Sequence, residues 1–254
     1  MNPKHVTGII LAAGLGSRLL PYTAMTPKAM QDLAGQTIIR RMVAWMRYLG
    51  IERLVVVTGY LSNKLEAHLR EIDPNIILVK NEGFENTQRM VSLLCAKPYI
   101  QGSFLVLDGD YFYDKKVADE IRDLPHDCIT VHATPKPSSY CIQDVIVKTD
   151  LEGKLTDLSK TAGTEALHER EYYFNSMLFC PEPFVDGFLT LGEELVKDLG
   201  HGRLHIEDVV LAYANQCGPV DVWLIDEPAW VEVDTPQELE AARNFIKNNP
   251  NSTI

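Results

Sequence analysis

The residues with the clearest chemical potential lie between Ile9 and Lys28. There Ile-Ile-Leu-Ala-Ala-Gly-Leu-Gly-Ser-Arg-Leu-Leu-Pro-Tyr-Thr-Ala-Met-Thr-Pro-Lys runs from an apolar stretch into a small-residue, cationic loop. After Leu11, the residues Ala12, Ala13, Gly14 and Gly16 offer almost no side chain, and Ser17 follows. Successive backbone N–H groups can therefore approach an anion closely. Arg18 and Lys28 add two fixed positive charges, and Pro21 and Pro27 stiffen the segment that carries them. Such a cradle suits the phosphates of a nucleoside triphosphate. The plain alternative is a strand and a flexible turn with surface Arg and Lys. Two better-known glycine loops do not fit. A Walker A loop needs Lys directly after its last Gly, but Gly16 precedes Ser17 and Arg18; the dinucleotide fingerprint needs a small residue where Leu19 stands.

Carboxylates able to hold a hard cation are the second requirement. Ser103 to Leu107 is an apolar run ending on Asp108-Gly109-Asp110, and Gly109 lets the chain bend so that Asp110 faces a cleft as a Mg²⁺ ligand. An ordinary strand-end turn would look similar. In Trp230-Val-Glu-Val-Asp234-Thr-Pro236, Asp234 follows a short strand and, taken alone, reads as a helix N-cap. Asp208 falls near the first turn of a helix, facing solvent or a pocket rim. Asn86, Thr87, Gln88, Arg89 and Ser92 open another helix, where an N-cap and surface turn is the bland reading. The seven histidines show no metal-ligand spacing.

The elements that must position these groups alternate in the first half. Strands over Val6 to Leu11, Arg53 to Thr58, Ile76 to Lys80 and Ser103 to Leu107 are separated by helices over Thr37 to Leu49, Asn63 to Glu71 and Thr87 to Ala96. This predicts an α/β fold: a Rossmann-like, mixed but mainly parallel sheet with helices on both faces and ligands at the carboxyl ends of its strands. The second half reads as β-structure over Cys128 to Thr134, a hairpin joining Tyr140–Lys148 to Leu155–Ser159, and a strand over Tyr172 to Phe179. The polar stretch from Lys160 to Arg170 is a candidate flap. Helices over Phe184 to Lys197, Ile206 to Asn215 and Pro236 to Lys247, with a strand at Val220 to Leu224, complete the chain. One domain is expected over residues 1–254, with a nucleotide-binding half to about 125 and an acceptor-binding half from about 126.

Bulk properties narrow the partners. The net charge of −11 comes from 24 basic and 35 acidic residues, with no basic run to track a nucleic acid. An acidic protein that binds a polyanion needs a metal and a few local cations inside the cleft. The five cysteines, with no Cys-x-x-Cys pair, read as reduced packing residues. No signal peptide or membrane-length apolar stretch is visible, so a cytoplasmic protein without membrane insertion is expected. A homodimer is left open.

Leu11-Ala12-Ala13-Gly14-Leu15-Gly16-Ser17-Arg18 with Thr26-Pro27-Lys28 resembles the signature of nucleotidyltransferases that build nucleotide-diphospho compounds. Within that superfamily, with its nucleotide-diphospho-sugar transferase fold, the chain looks most like bacterial phosphocholine and phosphonate cytidylyltransferases. The resemblance implies in-line attack by a phosphate or phosphonate oxygen on the α-phosphorus of CTP, with Mg²⁺ as cofactor and pyrophosphate leaving. It assigns the triphosphate to the loop, Arg18 and Lys28, and the metal to Asp110 and Asp234. It gives the nucleotide to Asn86, Thr87, Ser92 and Asp108, and the acceptor to the second half, where Tyr140, Tyr173, Asn175 and Asp208 are candidates. Tyr140 stands where the phosphocholine enzymes carry tryptophan, so a polar or primary-amine acceptor competes with trimethylammonium. A sugar-1-phosphate nucleotidyltransferase using UTP, dTTP or GTP is the alternative within the class. A catalytically silent nucleotide-binding regulator is the alternative outside it.

Overall fold

Strand β1 (Val6–Ala12) turns Val6 and Ile10 into one hydrophobic core and Ile9 and Leu11 into another. That two-sided burial is why its sequence is a continuous apolar run rather than an alternation. The structure is a computed structural model and describes residues 3–122, 127–135, 145–160, 167–199, 204–225 and 230–249. After β1 come a small hairpin of β2 (Asp32–Leu33) and β3 (Gln36–Thr37), α1 (Ile38–Tyr48), β4 (Arg53–Thr58), α2 (Ser62–Ile72), β5 (Ile77–Lys80) and α3 (Arg89–Ala96). Then follow β6 (Ser103–Asp108), β7 (Tyr111–Tyr113), α4 (Lys115–Arg122), β8 (Thr130–Thr134), β9 (Val145–Thr149), β10 (Leu155–Lys160) and β11 (Glu171–Cys180). The last elements are α5 (Glu182–Leu199), α6 (Ile206–Gln216), β12 (Asp221–Leu224), β13 (Trp230–Glu232) and α7 (Pro236–Asn248).

The main sheet runs β10-β9-β11-β6-β1-β4-β5, with β8 beside β11 and β12 beside β8. Strands β6, β1, β4 and β5 are parallel, and β11 enters antiparallel against β6, β8 and β9. Helices α1, α2, α4 and α7 cover one face; α3, α5 and α6 cover the other. Fully burying each Leu, Ile, Val or Phe of these layers contributes about 1.5–3 kcal/mol, so the two cores hold the carboxyl ends of β1, β4 and β6 at one rim.

The expected helices and strands are present, with shifted bounds. The helix expected from Thr87 starts at Arg89, because Gln88 is extended. The expected Tyr140–Lys148 strand is described from Val145, and β9 pairs antiparallel with β10. Three elements were not anticipated: the β2–β3 hairpin, α4 and the two-stranded β7–β13 sheet. Tyr140 and Cys141 lie outside the described residues, as do residues 161–166 of the candidate flap. The cysteines do not all pack inside, since Cys180 is buried whereas Cys217 is exposed.

Candidate functional site

The loop after β1 is held from several sides. Gly16 has φ +66, a left-handed backbone that favours glycine, and the Lys28 side chain lies where a Cβ would project, 3.0 Å away. Thr23 Oγ1 donates to the Gly16 carbonyl at 2.9 Å, and the Gln31 amide donates to the Tyr22 carbonyl at 3.1 Å. Tyr60 Oη, just beyond β4, reaches the Thr23 and Ala24 carbonyls, each at 3.0 Å. The segment is thus a fixed rim, and a short 3₁₀ turn starting after Pro27 aims Lys28 inward.

The acids come from two other elements. Gly109 N–H donates to the Leu11 carbonyl at 2.8 Å, and a Cβ on Gly109 would sit 2.8 Å from that oxygen and from Ala12 Cβ. Only glycine permits this approach, which brings Asp108 and Asp110 to the end of β1. Strand β13 pairs with β7 so that Glu232 opposes Tyr111, and the Val233 amide donates to the Asp110 carbonyl at 3.0 Å. Thr235, not Asp234, caps α7. It forms a capping box with Glu238, whose carboxylate accepts the Asp234 and Thr235 amides at 2.8 and 2.7 Å. The Asp234 side chain is therefore released from capping and turns to the cleft.

Asp110, Glu232 and Asp234 offer carboxylate oxygens within 4.8 Å of one another. Lys28 Nζ is 2.6 Å from Asp110 Oδ2 and also bonds Asp234 Oδ1, and Arg18 Nη2 lies 2.5 Å from Asp234 Oδ2. Burial opposes the Lys28 ammonium, but Asp110 and Asp234 outweigh it and hold its pKa above the ordinary lysine value. Burial likewise opposes the Asp234 carboxylate, and Lys28 and Arg18 outweigh it and pull its pKa down. Glu232 goes the other way: burial, then the charges of Asp110 and Asp234, push its pKa well up. Asp110 Oδ1 is buried without a hydrogen-bond partner. Three converging hard oxygen donors, one unsatisfied and one short of positive charge, fit a hard divalent cation such as Mg²⁺.

Three adjoining cavities meet at this cluster, and Asp110 lines all of them. One of about 240 Å³ is walled by Gly14, Gly16, Ser17, Arg18, Lys28 and Asp234. A second, about 190 Å³, lies between Ala13, Gly14, Phe84, Thr87, Ser92 and Asp108. The third, about 200 Å³, extends from Arg18 and Glu232 past Tyr111 and Phe174 to Lys160, His205 and Glu207. Arg89 stands between the last two. Its guanidinium bonds Asp108 on one side and Glu207 on the other, and donates to Ser176 Oγ at 2.9 Å. Burial disfavours the Arg89 charge, but the two carboxylates more than restore it. One guanidinium serves both acids unequally. Burial pushes Asp108 up to about 6 against the pull of Arg89, while Glu207, also buried, is held below its usual value by Arg89. Ser176 has φ +57, a left-handed backbone rare for a non-glycine residue, where the register of β11 against β8 shifts.

The structure thus brings Leu11, Ala12, Ala13, Gly14, Gly16, Ser17, Arg18, Lys28, Thr87, Ser92, Asp108, Asp110 and Asp234 onto one rim. It does not place the rest there. Asn86 is exposed and off the cavity walls. Asp208 is exposed and accepts the His205 amide at 2.7 Å as a cap of α6; its neighbour Glu207 faces the cleft instead. Tyr173 is buried and off the walls, because Phe174, one residue on, takes the cleft side of β11. Asn175 is fully buried, and its carbonyl accepts Tyr113 Oη at 2.9 Å. Sequence reasoning missed Glu232, Glu207, Ser176, His205 and Lys160. Glu232 carried a readable signal, since residues i and i+2 of a strand share a face and Glu232-Val-Asp234 presents both acids together.

A family model described as the MobA-like NTP transferase domain matches residues 8–173. The chain belongs to that family. It is 26% identical over 243 residues to the 2-aminoethylphosphonate cytidylyltransferase of Lancefieldella rimae, covering 94% of this chain and 93% of that one. It is 22% identical to the bifunctional IPC transferase and DIPP synthase of Aquifex aeolicus over 94% of its own length, but spans only 51% of that longer protein. The solved CTP:phosphocholine cytidylyltransferase of Streptococcus pneumoniae superposes with a TM-score of 0.78 at 21% identity, covering 95% of this chain and 99% of that one. The fold is therefore the nucleotide-diphospho-sugar transferase fold.

In this MobA-like NTP transferase, the family match contains the glycine loop, Lys28, Arg89 and Asp110. Glu207, Glu232 and Asp234 lie beyond it, on α6 and around β13. The site is closed by packing the C-terminal elements back against β7 and β11, so the far half of the chain supplies two of its three clustered carboxylates.

Proposed function

We propose that this chain is a Mg²⁺-dependent cytidylyltransferase that couples CTP to a small phosphorylated or phosphonate acceptor and releases pyrophosphate in the cytoplasm. The observation that carries this reading is Asp110 at the junction of three cavities. One is a phosphate cradle, one a recess beside Phe84, Thr87 and Ser92 suited to a base, and one a polar chamber for an acceptor. The cytidylyltransferase activities named for the relatives support CTP as donor.

In the reaction, an acceptor oxygen forms a bond to the α-phosphorus as the bond from that phosphorus to the α,β-bridging oxygen breaks. Pyrophosphate leaves with the electron pair. The nucleophile arrives already ionised, so the protein's task is alignment and charge neutralisation rather than proton abstraction. Amides of the Gly14–Ser17 turn and the charges of Arg18 and Lys28 face the triphosphate. Arg18 also lines the acceptor chamber, so it can orient the attacking group against the α-phosphate. Arg89, locked between Asp108 and Glu207, fixes the wall dividing base from acceptor. Asp110, Glu232 and Asp234 would hold Mg²⁺, which would supply the further neutralisation that phosphate meeting phosphate demands.

The test is pyrophosphate release from five NTPs set against phosphocholine, 2-aminoethylphosphonate, phosphoethanolamine, phosphoserine and several sugar 1-phosphates. CTP should be preferred, with release dependent on Mg²⁺ and on acceptor. Preference for another NTP, or none released with any pair, overturns the reading.

A further inference from the structure

At the end of the acceptor chamber away from the carboxylate cluster, Lys160 on β10 and His205 at the start of α6 face each other. Lys160 Nζ and His205 Nε2 are 3.5 Å apart. His205 heads a reciprocal capping box. Its ring takes the Asp208 amide, and the Asp208 carboxylate accepts the His205 amide at 2.7 Å. Nε2 is the ring nitrogen turned to Lys160, and the tautomer with its proton there presents an N–H to the same space. Burial lowers the ring's pKa, and although Glu207 opposes it, Lys160 adds to the lowering. An ammonium and an imidazole edge therefore share one small volume of the chamber. Among the described residues no carboxylate lies within ion-pair distance of Lys160. Glu207, the nearest acid along the chain from His205, is already engaged by Arg89.

We propose that Lys160 and His205 form a subsite for a carboxylate on the acceptor, so that the preferred acceptor is a phosphorylated or phosphonate α-amino acid rather than a simple amino alcohol or amino phosphonate. This rests on the cytidylyltransferase reading. The acceptor's phosphate or phosphonate must lie near Arg18 and Asp110, which line both the triphosphate cradle and the chamber. Lys160 and His205 do not line the cradle, so the group they receive is a second one at the far end of the molecule. Glu207 lines the wall beside them, so the acceptor's ammonium would meet the negative end of the Arg89–Glu207 ion pair there. One ammonium with an imidazole edge beside it, and an acid on the same wall, are complementary to a zwitterionic head group. A trimethylammonium group, by contrast, would meet Lys160 as a like charge.

Two matched pairs of acceptors test this with the intact chain, CTP and Mg²⁺. 2-Amino-3-phosphonopropionate is 2-aminoethylphosphonate with a carboxylate on the amine-bearing carbon, and phosphoserine is phosphoethanolamine with the same addition. The carboxylated member should show at least tenfold higher kcat/KM within a pair. Lys160→Met should shrink that ratio about tenfold through a higher KM, and Lys160→Arg should keep it. Equal or higher kcat/KM for the carboxyl-free members would overturn the subsite while leaving cytidylyl transfer in place. So would a Lys160→Met loss that is equal for both members, which would mean that the pair holds the phosphonate itself. Absence of pyrophosphate release from CTP with every acceptor would instead overturn the reading on which the subsite depends, and the subsite with it.

Discussion

Lys28 Nζ lies 2.6 Å from Asp110 Oδ2, joining the loop after β1 to the loop after β6 across the mouth of the cleft. The same ammonium bonds Asp234, so one cation ties three separate stretches of chain. Lys28→Met removes positive charge from the proposed triphosphate cradle, leaves Asp110 without its ion-pair partner and leaves Asp234 with Arg18 alone. Steady-state pyrophosphate release should fall by about 10²–10³ in kcat/KM, the scale found for losing a key electrostatic donor. Near-parental turnover in a folded Lys28→Met protein would remove Lys28 from the reaction.

Glu232 separates the structural and metal roles of the carboxylate cluster. Burial, then Asp110 and Asp234, push its pKa well up, so its charge is the least favoured of the three. Gln keeps the shape and removes the disfavoured charge, so Glu232→Gln should melt within about a degree or two of the parent in chelator, about the size of a minor surface change. Its Mg²⁺ requirement for half-maximal turnover should rise by about tenfold or more. Full activity of the parent after chelation and desalting would contradict a metal at this cluster.

Much of this site was legible because its key residues sit where local chemistry is unambiguous. The glycine loop follows an apolar strand, and Asp110 follows another, so strand ends predicted both the rim and the carboxylate that faces it. What was not legible depended on register and helix phase. Taken alone Asp234 read as a cap, a place that Thr235 takes with Glu238, and Asp208 read as facing solvent or a pocket rim, where its bond to the His205 amide settles it outward. Tyr173 and Phe174 differ only by one position in β11, and a one-residue change of register moves a side chain to the opposite face. Strand β7 is three residues long and needs β13, more than a hundred positions away, to exist as a strand. The buried Arg89 bridge joins β6, α3 and α6, contacts that no local pattern encodes.

Backbone proximity at Gly109 gives a steric prediction with an internal contrast. A Cβ there would approach the Leu11 carbonyl to 2.8 Å, so Gly109→Ala must push β6 and Asp110 away from the loop. Turnover should fall at least tenfold, with a lowered Tm, because displacement of a positioned group by about 1 Å costs on the order of 10²-fold. Gly187 on α5 has no atom within 4 Å of its Cβ position. Gly187→Ala should stabilise by about 0.5–1 kcal/mol through helix propensity, raising Tm by roughly 1–4 °C with kcat/KM unchanged.

Thr235 links stability to site geometry. Its hydroxyl accepts the Glu238 amide at 3.3 Å, and Glu238 in turn holds the amides of Thr235 and Asp234. Thr235→Ala should cost about 1 kcal/mol, seen as a drop of roughly 2–4 °C in Tm. Thr235→Ser retains the oxygen and should recover most of that loss. If the Ala and Ser variants melt together, the capping box does not hold α7 in solution.

Thiol reactivity tests the burial of the second core independently of activity. Burial pushes the Cys180 thiol well above its ordinary value and also raises Cys95, while burial and then Asp221 push Cys128 up to about 11. Only the thiolate alkylates, so at pH 8 a thiol with a pKa near 11 is reactive in roughly one molecule in a thousand. Cys217, just past the end of α6, is exposed. Alkylation at pH 8 followed by peptide mass spectrometry should therefore label Cys217 first, then Cys95 and Cys128 slowly, and Cys180 only after denaturant is added. Raising the pH toward 10 should speed Cys128 about in proportion to its growing thiolate fraction but leave Cys180 protected, because its barrier is access as well as ionisation. Early labelling of Cys180 in native protein would mean that the layer of β11, β6 and α5 opens far more readily than its packing implies.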